Sequence, residues 1–271
     1  MAKLGNPFRT GRTLVIPHGG GDALFPENTL YAYENSIAMG GDVIDIDVQL
    51  SGDGVPIAFH DDTLQRTTNG TGLVTTKPYT ELAKLDAGWQ FLRGGRHPYR
   101  GKGLRIPTVE AILRRFPTTL VTLDLKDLRT VAVDPICEVI TRLRRSADVY
   151  VGVDTTPQVE RFRTECPTIR TSATDEERRA MRAARAAGDT RIVIHQIVSQ
   201  PSYRGDDGTP RITPSFLAFS HSKGIAVFTW VVDDPKDMKA LIDMGVDGIY
   251  TRRPDIMLQL LGRNKAESRA T

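Results

Sequence analysis

The sequence predicts a single α/β domain folded as a (β/α)8 TIM barrel, with a small insertion between strand two and helix two. Short β-branched runs recur eight times, each followed by a stretch of helical periodicity, which is the pattern of βα units around a parallel sheet. The 271 residues suit one barrel of about 250 residues. An open sheet has no reason to stop at eight strands, whereas a closed one does.

In chain order the strands are expected at TLVIPH (13–18), VIDIDV (43–48), TLVTLDL (119–125), VYVGVD (149–154), TIRTS (168–172), IVIHQIV (192–198), AVFTWVV (226–232) and DGIYT (247–251). Branched Cβ atoms favour them because they pack well on a pleated surface and crowd a helix. Helices are expected between them at 29–39, 107–116, 131–145, 157–165, 175–187, 214–222, 235–244 and 254–261. Five of these begin at or beside a proline, whose fixed φ and missing N–H suit a first helical turn. Residues 51–105 break the alternation with glycine, threonine and the aromatics Tyr79, Trp89, Phe91 and Tyr99. This stretch is expected to lie over the C-terminal mouth, where barrel enzymes keep their sites.

Composition narrows the function. With 39% hydrophobic and 25% charged residues, the chain is neither disordered nor fibrous. Lys and Arg number 36 against 33 for Asp and Glu, too even a balance to argue for nucleic acid. The arginines crowd between 142 and 191, but Glu160, Glu165, Asp175, Glu176 and Glu177 are interleaved with them, as on solvated helix faces. No run approaches the ~18 apolar residues of a membrane span, and MAKLGNPFRTGR at the start lacks the apolar core of a signal peptide. A cytoplasmic protein without an integral membrane segment is expected; oligomeric state is not legible. Cys137 and Cys166 show no CxxC spacing and are expected to be free thiols.

The chemistry gathers at strand ends. Asp45 and Asp47 in strand two are two residues apart and share a face, while Ile44 and Ile46 share the other. The isoleucines suit the helix-packed outside, which leaves the aspartates inside near the mouth. SGDG followed by VPIAFHD then reads as an antiparallel hairpin. A turn at Gly52 and Asp53 sets His60 opposite Asp45, and one at Asp53 and Gly54 sets it opposite Asp47; a three-residue loop reverses the parity. His18 follows strand one, Asp124 and Lys126 close strand three, Trp230 lies in strand seven, and Arg252 and Arg253 follow strand eight. Carboxylates, imidazoles and a lysine converging on one mouth suit a hard divalent cation beside an acid/base pair. His195 has no partner visible in sequence and is read as a core or substrate contact, while His97 and His221 are read as surface residues.

In these residues the chain resembles the glycerophosphodiester phosphodiesterase family. The family's ordered signature reads here as HGG (18–20), PENT (26–29), DID (45–47), DG (53–54), HD (60–61) and RTT (66–68). The likeness continues through RIPTVEAIL (105–113), LDLK (123–126), FTWVVDD (228–234) and GVDGIYTRRPD (245–255). The resemblance implies a (β/α)8 barrel that hydrolyses a small-molecule glycerophosphodiester to glycerol 3-phosphate and an alcohol. It implies His18 and His60 as general acid and base, Asp45, Asp47 and Asp124 as ligands of Ca2+ or Mg2+, Lys126 as a phosphate contact, and Glu27 as a support in the first loop. Two departures matter. Asp45 and Asp124 stand where the family carries glutamate, and Gly19 stands where it carries arginine. Arg252 stands where the family has aspartate, and two readings stay open for it: it supplies the missing guanidinium from the neighbouring strand, or it forms a surface salt bridge. Two other readings compete: a lysophospholipase D whose insertion aromatics hold an acyl chain, and a non-catalytic phosphodiester-binding relative. Both histidines are present, which speaks against the latter.

Overall fold

A computed structural model of the chain describes residues 5–263 other than 128, 154, 194 and 195. Its strands are β1 (Leu14–Pro17), β2 (Val43–Leu50), β3 (Pro56–Ala58), β4 (Leu120–Leu125), β5 (Val149–Gly152), β6 (Arg170–Thr171), β7 (Val198–Ser199), β8 (Ala226–Thr229) and β9 (Gly248–Thr251). Ladders run β1-β9-β8-β7 and β3-β2-β4-β5-β6, parallel except for the β2–β3 hairpin. One parallel bridge, Ser172 to Val198, joins β6 to β7. At the other seam Asp42 N–H donates to Val15 O (2.9 Å), at the start of β2. Eight parallel strands thus close into the expected barrel.

Period-two alternation decides which side chains fill it. Leu14, Ile16, Val43, Tyr150, Val198, Ala226, Phe228 and Tyr250 form the inner core, while Ile44, Ile46, Val48, Val121, Leu123 and Val151 pack outward under the helices. Those helices are α1 (Leu30–Met39), the short α2 (Tyr79–Leu82) in the insertion, α3 (Val109–Arg115), α4 (Val133–Arg142), α5 (Thr156–Glu165), α6 (Asp175–Ala186), α7 (Pro214–Ser222), α8 (Pro235–Met244) and α9 (Pro254–Leu260). Thr29, Thr108, Thr213 and Asp234 cap α1, α3, α7 and α8 through their side chains, and Thr174 with Glu177 forms a capping box on α6.

The bottom of the barrel is shut by the segment before β1. Phe8 is fully buried there, its ring 4.8 Å from Tyr150 and 6.1 Å from Phe228. Asn6 Nδ2 donates to Ile197 O (2.6 Å) and Gly224 O (3.0 Å). On the same face Asp42 receives the guanidiniums of Arg12 (2.7 Å) and Arg263 (2.7 Å), so one carboxylate ties the lead-in to β1 to the residue that ends the described chain. Burial alone would raise the Asp42 pKa, but the two arginines hold it below the ordinary carboxylate value.

Three expectations need correction. Among the described residues of the run 192–198, only Val198 is in a strand, and Val193 is 74% exposed; β-branching alone did not mark where pairing begins. The cysteines are not free. Cys137 in α4 and Cys166 at the end of α5 form a disulfide across 29 residues, with Cα atoms 6.1 Å apart, because consecutive helices of the outer ring lie side by side. The hairpin turns through three residues. Val48 pairs with Ala58 and Leu50 with Pro56, and Gly54 adopts φ +82° in the loop, the glycine-dependent geometry of a three-residue hairpin connection.

The insertion builds its own small core from Ile57, Phe59, Leu64, Val74, Leu82 and Ile106. Tyr79 packs on that core, and Trp89 lies beneath the Arg100 guanidinium at 4.5 Å. Phe91, Tyr99, Tyr31 and Phe25 contact one another in sequence, with centroids 5.3, 5.2 and 6.0 Å apart. That row stitches the insertion to the first loop and α1.

Candidate active site at the barrel mouth

Asp45 and Asp47 face inward as β2's alternation requires and are 3% and 2% exposed. Neither is left bare. Asp45 Oδ1 accepts from Thr122 Oγ1 (2.9 Å) and Oδ2 from Gly19 N (3.1 Å). Asp47 Oδ2 accepts from Asn28 Nδ2 (2.8 Å), while Asn28 Oδ1 accepts from Tyr33 Oη (2.8 Å) and Asp47 N (3.2 Å). Asn28 holds φ +54° to do this, a left-handed conformation that asparagine tolerates better than most residues. The PENT motif therefore serves to brace β2 from the first loop.

His18 and His60 line one cavity of about 290 Å3 together with Asp45, Asp124, Lys126 and Trp230. His60 arrives by a route other than the expected register. Even pairing sets it on the parity of Ile46, but β3 ends at Ala58, Phe59 N–H makes a last bond to Asp47 O (2.9 Å), and the chain then turns into the mouth. Its Nδ1 lies 2.7 Å from Asp61 Oδ1; Arg66 clamps Asp61 through Nε (2.6 Å) and Glu27 through Nη1 and Nη2 (2.8 and 2.6 Å). Glu27 thus stands behind His60 in a chain of ion pairs and does not line the cavity. His18 Nδ1 lies 3.3 Å from Asp22 Oδ2. Burial, the largest influence, would lower the His18 pKa, but the Asp22 hydrogen bond and the charges of Asp45 and Asp47 raise it to about 9. This imidazole is a cation at neutral pH.

Lys126 Nζ sits 2.6 Å from Asp124 Oδ2 and 3.3 Å from Asp47 Oδ1. Burial works against its charge, and the neighbouring Asp124 and Asp47 more than restore it, leaving the ammonium more basic than an ordinary lysine. The donor chemistry of Asp45, Asp47 and Asp124 suits a hard cation, being all oxygen. Burial and the charge of Asp47 also push Asp45 up to about 6, a repulsion that added positive charge would relieve. Among the described residues, however, no three His, Cys, Asp or Glu side chains converge as a ligand set. The Lys126 ammonium stands among the carboxylates, so a divalent ion has to compete with it.

Of the two readings of Arg252, the structure shows the surface salt bridge and not the phosphate-facing guanidinium. Its Nε donates to Asp233 Oδ2 (2.6 Å), its backbone N to Asp233 Oδ1 (2.8 Å), and the side chain is 56% exposed and off the cavity wall. Asp233, on the loop after β8, captures it first. His221 bonds Asp247 Oδ2 (2.7 Å) and is part-buried, not a free surface residue; His195 lies outside the described residues. Sequence reasoning missed Asn28, Asp22, Arg66 and a guanidinium on the far wall, Arg178. Asp61 and Arg66 were visible as the HD and RTT motifs; Arg178 carried no signal in sequence.

A closed βα barrel whose mouth holds two carboxylate-oriented imidazoles and a lysine belongs to the class of barrels equipped for acid/base chemistry on an anionic substrate. Residues 18–256 match the Glycerophosphoryl diester phosphodiesterase family. The chain belongs to that family of phosphoric diester hydrolases. It is 28% identical over 264 residues to a glycerophosphodiester phosphodiesterase of Caldanaerobacter subterraneus subsp. tengcongensis, spanning 92% of this chain and 98% of the relative. It is 26% identical over 271 residues to one of Bacillus subtilis, spanning 94% and 88%. Among solved folds, an Oleispira antarctica phosphodiesterase in complex with the product sn-glycerol-3-phosphate superposes with TM-score 0.75 at 21% identity, covering 93% of this chain and 97% of that one. A glycerophosphoryl diester phosphodiesterase domain from Mycobacterium tuberculosis gives TM-score 0.80 at 22% identity, with coverage of 93% and 100%.

Proposed function

We propose that this protein hydrolyses small glycerophosphodiesters to glycerol 3-phosphate and an alcohol. The observation that carries the reading is the pair of imidazoles on one cavity wall, each with Nδ1 turned to its own carboxylate. His60, with Asp61 accepting from Nδ1–H, has Nε2 as its basic nitrogen and takes the proton of the attacking group: water, which gives glycerol 3-phosphate directly, or a glycerol hydroxyl, which gives a cyclic phosphate that water then opens by the same acid/base pair. The new P–O bond forms as the bond to the alcohol breaks, and protonated His18 gives its proton to the departing alkoxide. Lys126 offsets charge on the phosphoryl oxygens. Asp45, Asp47 and Asp124 are the residues that would hold Ca2+ or Mg2+, and such an ion supplies further charge neutralisation at the phosphoryl group.

Incubation with glycerophosphocholine should release glycerol 3-phosphate, and His18→Ala or His60→Ala should each cut kcat by roughly 10²- to 10⁴-fold. Binding without turnover would instead support a phosphodiester-binding protein. Metal dependence is tested apart from activity. Calorimetric titration with Ca2+ or Mg2+ should show binding that tightens in Lys126→Met, which removes the competing ammonium; no binding to either protein excludes a resident ion at the three aspartates. The insertion aromatics pack among themselves, so we prefer the small-ester reading over the acyl-chain one. Among the described residues no helix is long and apolar enough to cross a membrane. The disulfide favours an oxidising compartment over the cytoplasm expected from the sequence.

A further inference from the structure

We propose that the wall of the mouth across from His18 selects phosphodiesters whose departing alcohol carries an anion, with Arg178 as the recognising group. The proposal rests on the phosphodiesterase reading above and adds the class of alcohol to it. Counting around the barrel from β1, β6 is the fifth of eight parallel strands and so stands opposite the first. His18 follows β1; Arg178 lies in the first turn of α6, directly after β6. Both line the same cavity. Of the two ester arms of a phosphodiester held near His18, His60 and Lys126, the one that crosses the cavity reaches the wall of Arg178, and that arm is taken to be the departing alcohol.

The guanidinium is fixed yet retains donors. Nε and Nη2 donate to Asp175 Oδ1 (3.2 and 2.6 Å) and Nη1 to Ala173 O (2.5 Å). A guanidinium has five N–H groups, so among the described residues one N–H on each terminal nitrogen is left to donate, and a carboxylate or phosphate is the acceptor that suits such donors. Asp175 does not cancel the charge, because it is 76% exposed and screened by water. More positive charge stands behind. Arg182 is pushed below the ordinary arginine value first by burial and then by the facing guanidiniums of Arg211 and Arg178. Arginines gathered against their own repulsion create a positive field that an anion relieves. The carboxylates of the mouth belong to β2 and β4, two or three strands from β6, and Lys126 offsets Asp124 and Asp47 there. Trp230 also faces the cavity and offers an aromatic ring to a quaternary ammonium, but a cation placed there meets Arg178.

The test is a series of glycerol phosphodiesters of matched three-carbon alcohols, ending in a hydroxyl, a carboxylate, a phosphate monoester or a trimethylammonium group. The wild-type kcat/KM should be at least about tenfold higher for an anionic member than for the neutral one, with the cationic member lowest. Whether carboxylate or phosphate leads names the source of the anion. Arg178→Gln should collapse the anionic-to-neutral ratio, and Arg178→Lys should keep part of it. Equal kcat/KM across the wild-type series overturns the proposal and leaves the phosphodiesterase reading standing. An Arg178→Gln loss as large on the neutral ester as on the anionic ones also overturns it, by assigning the residue to the phosphoryl group. Hydrolysis of no member overturns the phosphodiesterase reading and this proposal with it.

Discussion

Asp22 is foremost among the groups that raise the His18 pKa, and on the proposed mechanism it fixes the pH above which that imidazole no longer donates. With His18 raised to about 9, kcat/KM should hold up through neutral pH and fall as the imidazole loses its proton above that value. Asp22→Asn removes the charged acceptor, so the alkaline limb of the profile should move down towards the ordinary histidine range; an unmoved limb assigns it to another group. The same shift links to folding. A histidine whose folded pKa exceeds the unfolded value of about 6.5 adds stability that is complete below 6.5 and is lost as pH rises through 9. At this scale the sequence was informative where the rule was local. Period two placed Asp45 and Asp47 inside, and the strand ends supplied His18, Asp124, Lys126 and Trp230 to the mouth. It failed where the partner came from another loop. Nothing near Arg252 in the chain singled out Asp233 over the phosphate, and nothing near Arg178 marked it as a wall of the cavity.

Pairs of elements tell the same story one level up. Helix limits were legible because proline and capping threonines punctuate the chain: α7 and α8 begin and end at the expected residues. The short sixth barrel strand was not, since two residues of pairing leave no periodicity to read. The hairpin register was also hidden, because a loop longer by one residue changes the parity without changing the composition. The α4–α5 disulfide is the element-scale feature with the largest energetic consequence. Closing a loop of 29 residues stabilises by about 3–4 kcal/mol in the chain-entropy account. Replacing Cys137 and Cys166 together by serine should lower Tm by roughly 6–16 °C. The non-reduced, denatured protein should show no titratable thiol, and two thiols appearing without reductant would show that the bridge does not form.

The molecule as a whole separates what it does from how it is held shut. Chemistry occupies the C-terminal ends of the strands, while Phe8, Asn6 and the Asp42 clamp occupy the opposite face. The barrel was legible from counting eight βα units, but the plug was not, because residues 5–12 lie outside the repeating pattern. The clamp also means that the chain's direction of travel is incidental to the site. Gly5, beside Asn6, and Arg263 both lie on that closed face, so a flexible linker run across it from Arg263 to Gly5 can join the described ends with the Phe8 plug kept, and the chain can be reopened between Gly94 and Gly95, exposed residues with positive φ. Such a circular permutant should fold with the parent's circular dichroism and retain kcat on glycerophosphocholine within about threefold, because neither cut nor join touches a residue of the mouth. Loss of folding in the permutant would mean that the order in which β1 and α9 are made, and not only their contact, is needed to close the barrel.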